Sequence, residues 1–294
     1  MMKRVAVALD GTPQAEQALI YARSLAYELV LIRVVRERMV EELEEGSAQE
    51  AAHYLHQVAT ALRERGQPCT VRLASGQTAS ALLESLQDCE LLVICSQGRT
   101  GLAGWLKPSV AARVAARASC PVLVVRSGEP GSLESKLTGP QWAPRRALVA
   151  LDTTSFSEGA LPAACSLLTQ RPAQLVLLGA SGLPPVDSDS PEFSARRVQL
   201  ARLGQYLQRA GEDARAEDLQ VSWRVEDSTA SEAILDWAER ERAEVVCLAT
   251  HGRTGAARWL LGSVSEKVLR KSRRPVLLVN PRSLRRPADR AGRE

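Results

Sequence analysis

The chain has no run approaching the roughly 18 apolar residues that a membrane-spanning helix needs. Its opening residues, MMKRVAVALDG, carry no signal-peptide cleavage pattern, so the expected location is the cytoplasm. The six cysteines, at 69, 89, 95, 120, 165 and 247, include no CxxC pair and have no histidine at zinc spacing. Several lie inside apolar runs, as Cys247 does in VVCLA, and read as reduced core thiols rather than disulfides or metal ligands. There is no GxxxxGK loop followed by serine or threonine, and no carboxylate is plainly placed to position water. A dedicated ATPase is therefore not expected. Strong charge of one sign is missing too. The net +4 divides into +1 over residues 1–126, −1 over 127–144, +1 over 145–280 and +3 over 281–294. That balance speaks against nucleic-acid binding over a whole domain face. Arg270, Lys271, Arg273 and Arg274 with the tail make at most a local basic patch, which a solvated helix end and a disordered tail also explain.

What is present is length, apolar strands and repetition. At 294 residues, 45% apolar and 24% charged, the chain suits two soluble domains of about 140 residues, each able to bury a core. RVAVAL (Arg4–Leu9) is a short apolar run ending at Asp10-Gly11-Thr12-Pro13. Thr12 as N-cap and Pro13 behind it predict a helix to about Glu28. A strand is expected over Leu29–Val35, a helix within 41–65, then a strand at Cys69–Leu73, a helix at Thr78–Gln87 and a strand at Leu91–Ser96. A helix from Ser109 to Ala118 and a strand from Pro121 to Val125 close the unit. Strands that are apolar without alternation belong to a parallel sheet covered on both faces. The reading is thus an α/β fold of two tandem open five-stranded parallel sheets, order 3-2-1-4-5, with helices on both faces.

The proposed division is a first domain over 1–126, a Gly/Pro/Ser-rich linker over 127–144, a second domain over 145–280 and a disordered basic tail over 281–294. RALVAL ends at Asp152 as RVAVAL ends at Asp10. The offset between copies grows by 12 residues from start to end, and Ser181–Phe193, rich in proline, serine and aspartate, is the natural place for them. The clearest match is Ala249–Asn280 against Cys95–Arg126, which agree at 14 of 32 positions without a gap. One difference bears on chemistry. The later copy has Gly262 where the earlier has Pro108. A glycine ahead of a helix N-terminus lets backbone and phosphate approach, whereas proline offers no N–H and fills the space. In an open parallel sheet, ligands bind beyond the strand ends where strand order reverses, between strands 1 and 4. Asp152 and Ala249-Thr250-His251-Gly252 end those two strands.

At these residues the sequence resembles the universal stress protein family in its tandem form, over about 1–126 and 145–280. Nucleotide-binding members carry Gly-x-x-Gly, nine residues, then Gly followed by Ser or Thr. Here Ala249-Thr250-His251-Gly252, nine residues and Gly262-Ser263 match except at Ala249. The first copy, with Cys95, Gly98, Pro108 and Ser109, has lost both outer glycines. The resemblance implies an adenine nucleotide alpha hydrolase-like fold and ATP in the second domain. Asp152 would lie at adenine and ribose, Ala180 at the base, Leu248 and Ala249 at the ribose. Gly252, Arg253, Gly262, Ser263 and Val264 would surround the phosphates, with Mg2+ accompanying the triphosphate. Asp10, Gly98 and Ser109 would be a weak vestigial site.

Other roles stay open for these residues. Asp152 and Asp10 can cap the helices that follow, Gly252 can serve a turn, and Arg253 can be a solvated loop residue. Trp105 and Trp259 read as loop anchors, and His251, matched by Gln97, does not read as catalytic. The function expected is an ATP-binding stress or signalling switch, in which occupancy ties down the Arg253–Leu261 loop for a partner to sense. Slow ATP hydrolysis and a ligand-free scaffold are the alternatives. The apolar last strands, Val122–Val125 and Val276–Val279, can pair in the family's manner, as a pseudo-dimer of the two copies or a homodimer.

Overall fold

The computed structural model describes residues 1–35, 42–96, 109–128, 131–170, 172–185, 187–215, 218–250 and 261–281. They fall into two compact units, Met1–Ala143 and Pro144–Pro281. In the first, β1 (Met2–Ala8), α1 (Gln17–Ala22), β2 (Ala26–Val35), α2 (Glu42–Arg63), β3 (Cys69–Ser75), α3 (Thr78–Glu84), β4 (Leu91–Ser96), α4 (Val110–Ala115) and β5 (Val122–Arg126) alternate along the chain. The strands lie in the order β3-β2-β1-β4-β5, every pairing parallel. Val5, Ala6 and Val7 are fully buried, as are Leu29, Val30 and Leu31. Successive strand residues point to opposite faces, so three buried in a row require cover on both. The spacing read for α2 holds: Ala51, Leu55, Val58 and Leu62 are all buried.

The second unit repeats the plan with β6 (Arg146–Ala150), α6 (Ser155–Glu158), α7 (Ala160–Leu167), β7 (Ala173–Ala180), α8 (Phe193–Asp213), β8 (Leu219–Glu226), α9 (Ala230–Arg240), β9 (Val245–Ala249), α10 (Ser263–Lys271) and β10 (Val276–Val279). Its order is β8-β7-β6-β9-β10, again all parallel, which is the expected 3-2-1-4-5 in each unit. Among the described residues no helix is long and apolar enough to cross a membrane. None of the six cysteines forms a disulfide, and Cys69, Cys89, Cys120 and Cys247 are buried.

Several boundaries differ from the sequence reading, each for a local reason. Thr12 does not cap the helix: its Oγ1 accepts from Ala15 N at 3.2 Å within a run of turns over Pro13–Glu16, and the helix proper, Gln17–Ala22, has Glu16 at its N-cap. β2 begins at Ala26, before Leu29, because Met2 pairs with Ala26 at the foot of the sheet; ladder pairing outweighs the helix propensity of Glu28. The segment after β6 carries two helices, α6 and α7, where the first unit has one. Pro162 has no N–H to give the carbonyl of Glu158, so the α-helical ladder is interrupted there. Strand registers also relocate the extra residues. The offset is 142 at Ala8/Ala150, 146 at Ile32/Leu178, 152 at Arg72/Arg224 and 154 at Val93/Cys247. The loop after β7 therefore does not hold them all.

The stretch read as a linker carries a helix, α5 (Leu133–Thr138), capped by Ser132, whose side chain accepts from Ser135 N. It docks on the first unit. Leu137 is buried, and Lys136 Nζ sits 2.9 Å from Glu16 Oε2 with both side chains nearly inaccessible. Tyr54 OH donates to the other Glu16 oxygen at 3.1 Å. Further along, Trp142 packs its ring on Tyr21, centroids 5.2 Å apart. Removing one member of a buried ion pair leaves an uncompensated charge, typically costing about 3–5 kcal/mol. Lys136→Met is expected to shift the urea unfolding of the first unit by an amount in that range, and adding Glu16→Gln is expected to recover much of it.

Candidate functional site

In each unit the strand order reverses between the carboxyl ends of strands 1 and 4, and the polar residues gather there. After β6, Asp152 Oδ1 accepts from Thr154 N at 3.1 Å and from Thr154 Oγ1 at 2.5 Å. Thr154 in turn caps α6, its Oγ1 accepting from Ser157 N. Ser157, almost fully buried, closes the loop: its Oγ accepts from Asp152 N at 3.2 Å and donates to Thr154 O at 2.8 Å. The cap is thus Thr154, and Asp152 shapes the turn that presents it. The first unit repeats the turn, with Asp10 Oδ1 accepting from Thr12 N and Oγ1 at 2.9 and 2.6 Å. Ser157 is matched there by Ala15, so the third member of the ring is missing.

Between aspartate and threonine the chain turns through left-handed backbone in both units, Gly11 at φ +87 and Thr153 at φ +70. A β-branched residue there is strained. The exchange continues on the neighbouring strand. By register, Arg33 of β2 matches Gly179 of β7. The Arg33 guanidinium lies 3.1 Å from where a Cβ on Gly11 would stand, so only glycine fits beneath it. The second unit, with Gly179 in Arg33's place, accommodates Thr153.

Beyond β9, Thr250 is fully buried, donating its N–H to Val279 O and accepting from Gly262 N, both at 2.8 Å. Ser265 Oγ donates to Ala249 O at 2.9 Å. These bonds fasten the start of α10 to the strand end. Gly262 has φ −59 and ψ 150, which any residue adopts; its glycine is required by space, since a Cβ would meet Thr250 O at 3.2 Å. Its N–H is engaged with Thr250, which corrects the expectation that Gly262 itself offers an N–H to phosphate. The donors that remain are those behind it. α10 has no side-chain cap, and Ser263 and Val264 are exposed. In the first unit the matching Ser109 is the N-cap, its hydroxyl accepting from Ala112 N at 3.1 Å. The two helices therefore enter differently.

Of the remaining sequence-predicted residues, Ala180 ends β7 half-buried, paired with Glu226, and Ala249 ends β9. Leu248 is buried within β9, so only its backbone can approach a ligand. Asp10 is exposed, and beside it burial, with the Asp10 charge adding, pushes the Cys95 thiol up to about 11. Gly252, Arg253, Gly98, Pro108, His251, Gln97, Trp105 and Trp259 lie outside the described residues. A groove of about 440 Å³ flanks this end of the second unit, lined by Leu183, Pro184, Asp187 and Arg196. Arg196 is committed there, NH1 donating to Asp227 Oδ1 at 2.6 Å and to Ser181 Oγ at 3.2 Å.

Sequence reasoning missed Ser157 and a recurring tyrosine. Tyr54 OH donates to Glu16 at 3.1 Å and Tyr206 OH to Glu158 at 2.9 Å, each glutamate six residues past its strand-end aspartate. The signal was available in the common offset, but tyrosines on a helix read as packing.

A family model described as the universal stress protein family matches residues 1–126 and 144–280. A universal stress protein of Mycobacterium tuberculosis is 32% identical over 198 residues, covering 67% of this chain and 64% of its own length. One of Mycolicibacterium smegmatis is 28% identical, covering 69% of this chain and 66% of its own. The match thus spans a little under two thirds of these relatives. Among solved structures, a universal stress protein from Archaeoglobus fulgidus is similar with a TM-score of 0.67 at 19% identity, covering 94% of this chain and 98% of its own. At that identity the likeness is one of fold.

Replacing Thr153 with glycine relieves the left-handed strain, worth about 1–2 kcal/mol, against about 0.5–1 kcal/mol of added chain entropy. Thr153→Gly is expected to raise the melting temperature slightly, by about 0.5–1 kcal/mol of stability in thermal unfolding, and a lower melting point would mean the turn depends on the threonine side chain.

Proposed function

Because the chain belongs to the universal stress protein family, we propose that its second unit holds an adenine nucleotide, with ATP the expected ligand, at the carboxyl ends of β6 and β9. The observation that carries this reading is the contrast between the two final helices. α10 opens on Gly262 without a side-chain cap and with the Ser263 hydroxyl exposed. A helix N-terminus in that condition attracts anions through its first-turn N–H groups and its dipole. α4, in contrast, spends its serine hydroxyl on its own cap. In this arrangement Ser263 and Val264 meet the phosphates, Gly262 keeps the approach narrow, and Gly252 and Arg253 are the further residues proposed to contact them. Asp152 and Ala180 lie toward ribose and base, and the backbone of Leu248 and Ala249 borders the sugar.

Mg2+ would arrive on the triphosphate. Among the described residues no group of three or more His, Cys, Asp or Glu side chains could hold a metal by itself. Nucleotide at the mouth of α10 changes what the end of β9 presents, and a signalling partner that reads that difference would make the protein a sensor. The first unit then serves as structural support, its Asp10, Gly98 and Ser109 set as a relic.

Gly262→Pro tests the reading. Proline suits φ −59; its Cβ presses on Thr250 O, 3.2 Å away, and one backbone hydrogen bond worth about 1 kcal/mol is lost, both local costs that leave the fold intact by circular dichroism. ATP affinity in a calorimetric titration is expected to fall at least tenfold; an unchanged affinity refutes the assignment. Native mass spectrometry of freshly purified protein is expected to show one retained adenine nucleotide per chain.

A further inference from the structure

The two units share a tyrosine on their second long helix, and the structure treats the two rings differently. In the first unit the Arg33 guanidinium lies over the Tyr54 ring, 5.3 Å from its centroid. The same guanidinium rests 3.1 Å from the Cβ position of Gly11, beside Asp10. A flat cation thus fills a slot whose walls are the tyrosine ring and the turn behind strand 1. It is a planar cation set over an aromatic ring, supplied by the chain itself.

The second unit keeps the tyrosine and has no arginine at the Arg33 position. Tyr206 holds the matching place, its OH donating to Glu158 at 2.9 Å. Burial above all, and then the Glu158 hydrogen bond, push its phenol pKa up. Thr153 holds the place of Gly11 in the turn after the strand-end aspartate. Gly179 stands where Arg33 does. Leu203 closes over Gly179, its carbons 2.8–2.9 Å from where a Cβ would be. Leu203, reaching from α8, thus fills the space where a side chain on Gly179 would begin. Among the described residues no cation lies over the Tyr206 ring.

We infer that the Tyr206 ring is the surface on which the planar base of the nucleotide stacks, making Tyr206 a specificity-determining residue of the second unit; this rests on the nucleotide reading above. Arg33 is the first unit's internal substitute for that base. Glu158 holds the ring's orientation through the hydroxyl, and Asp152 borders the edge of the stacked plane.

The test is a calorimetric titration of the full-length protein with ATP, comparing wild type with Tyr206→Phe, Tyr206→Leu and Tyr206→Ala, and with inorganic triphosphate as a competitor. Tyr206→Phe keeps the ring and is expected to bind within about threefold of wild type. The alanine and leucine variants lose the aromatic face, and by the usual worth of base–aromatic stacking are expected to weaken ATP about 5- to 100-fold. Their affinity for inorganic triphosphate should stay unchanged, which a merely structural role of the ring does not predict. Leucine retains apolar bulk, so its melting curve guards against loss of fold. Wild-type affinity in both ring-deleted variants overturns the inference while leaving the nucleotide reading intact, as does a phenylalanine variant as weak as alanine. A wild-type protein that binds no ATP removes both.

Discussion

A strand buried on both faces can present polar chemistry only at its ends. Val5, Ala6 and Val7, or Leu148 and Val149 in the second unit, leave no side chain free to meet solvent from the middle of the sheet. In a parallel arrangement all the carboxyl ends lie on the same edge, so every polar residue of interest is driven there. Asp10 and the entrance of α4 gather in the first unit, and Asp152, Thr250 and the entrance of α10 in the second, because each core admits them nowhere else. The strand-end aspartate converts that crowding into order: by accepting from the residue two ahead, it fixes the turn that starts the next helix.

The two units share this framework and part company only at its edge. Arg33 over Gly11 becomes Gly179 with Leu203, and Gly11 becomes Thr153. These exchanges change the polarity beside the strand-end aspartate. Ala15 becomes Ser157, adding a hydroxyl to the turn, and the capping Ser109 becomes an exposed Ser263. The divergence of the two copies is a set of such changes around one crevice.

The strands, their parallel order and the strand-end aspartates were legible in the sequence, because a doubly buried strand must be an unbroken apolar run and its terminus must turn. Helix lengths were less so. Pro162 splits a helix that periodicity joins, and the pairing of Met2 with Ala26 takes residues from a helix that capping signals extend. The insertion between copies looked like one loop, since alignment by composition has no ruler; only ladder registers show it spread over three connections. The role of Gly262 was read as backbone freedom, and proves to be clearance above Thr250 O. Lys136 and Tyr206 were invisible for a common reason. Their significance lies in partners 120 and 48 residues away, which no local pattern encodes.

The segment after β5 has a bearing on how such a duplicated protein comes apart or is put together. Sequence composition suggests that the first half could be severed after Arg126, at the end of its last strand. The Lys136–Glu16 contact and the packing of Trp142 on Tyr21 say otherwise. The self-sufficient piece ends near Ala143, and its outline is drawn by a charge that must be neutralised rather than by the final rung of the sheet. A gene fusion or truncation that respected strands alone would strand the Glu16 carboxylate without its counterion.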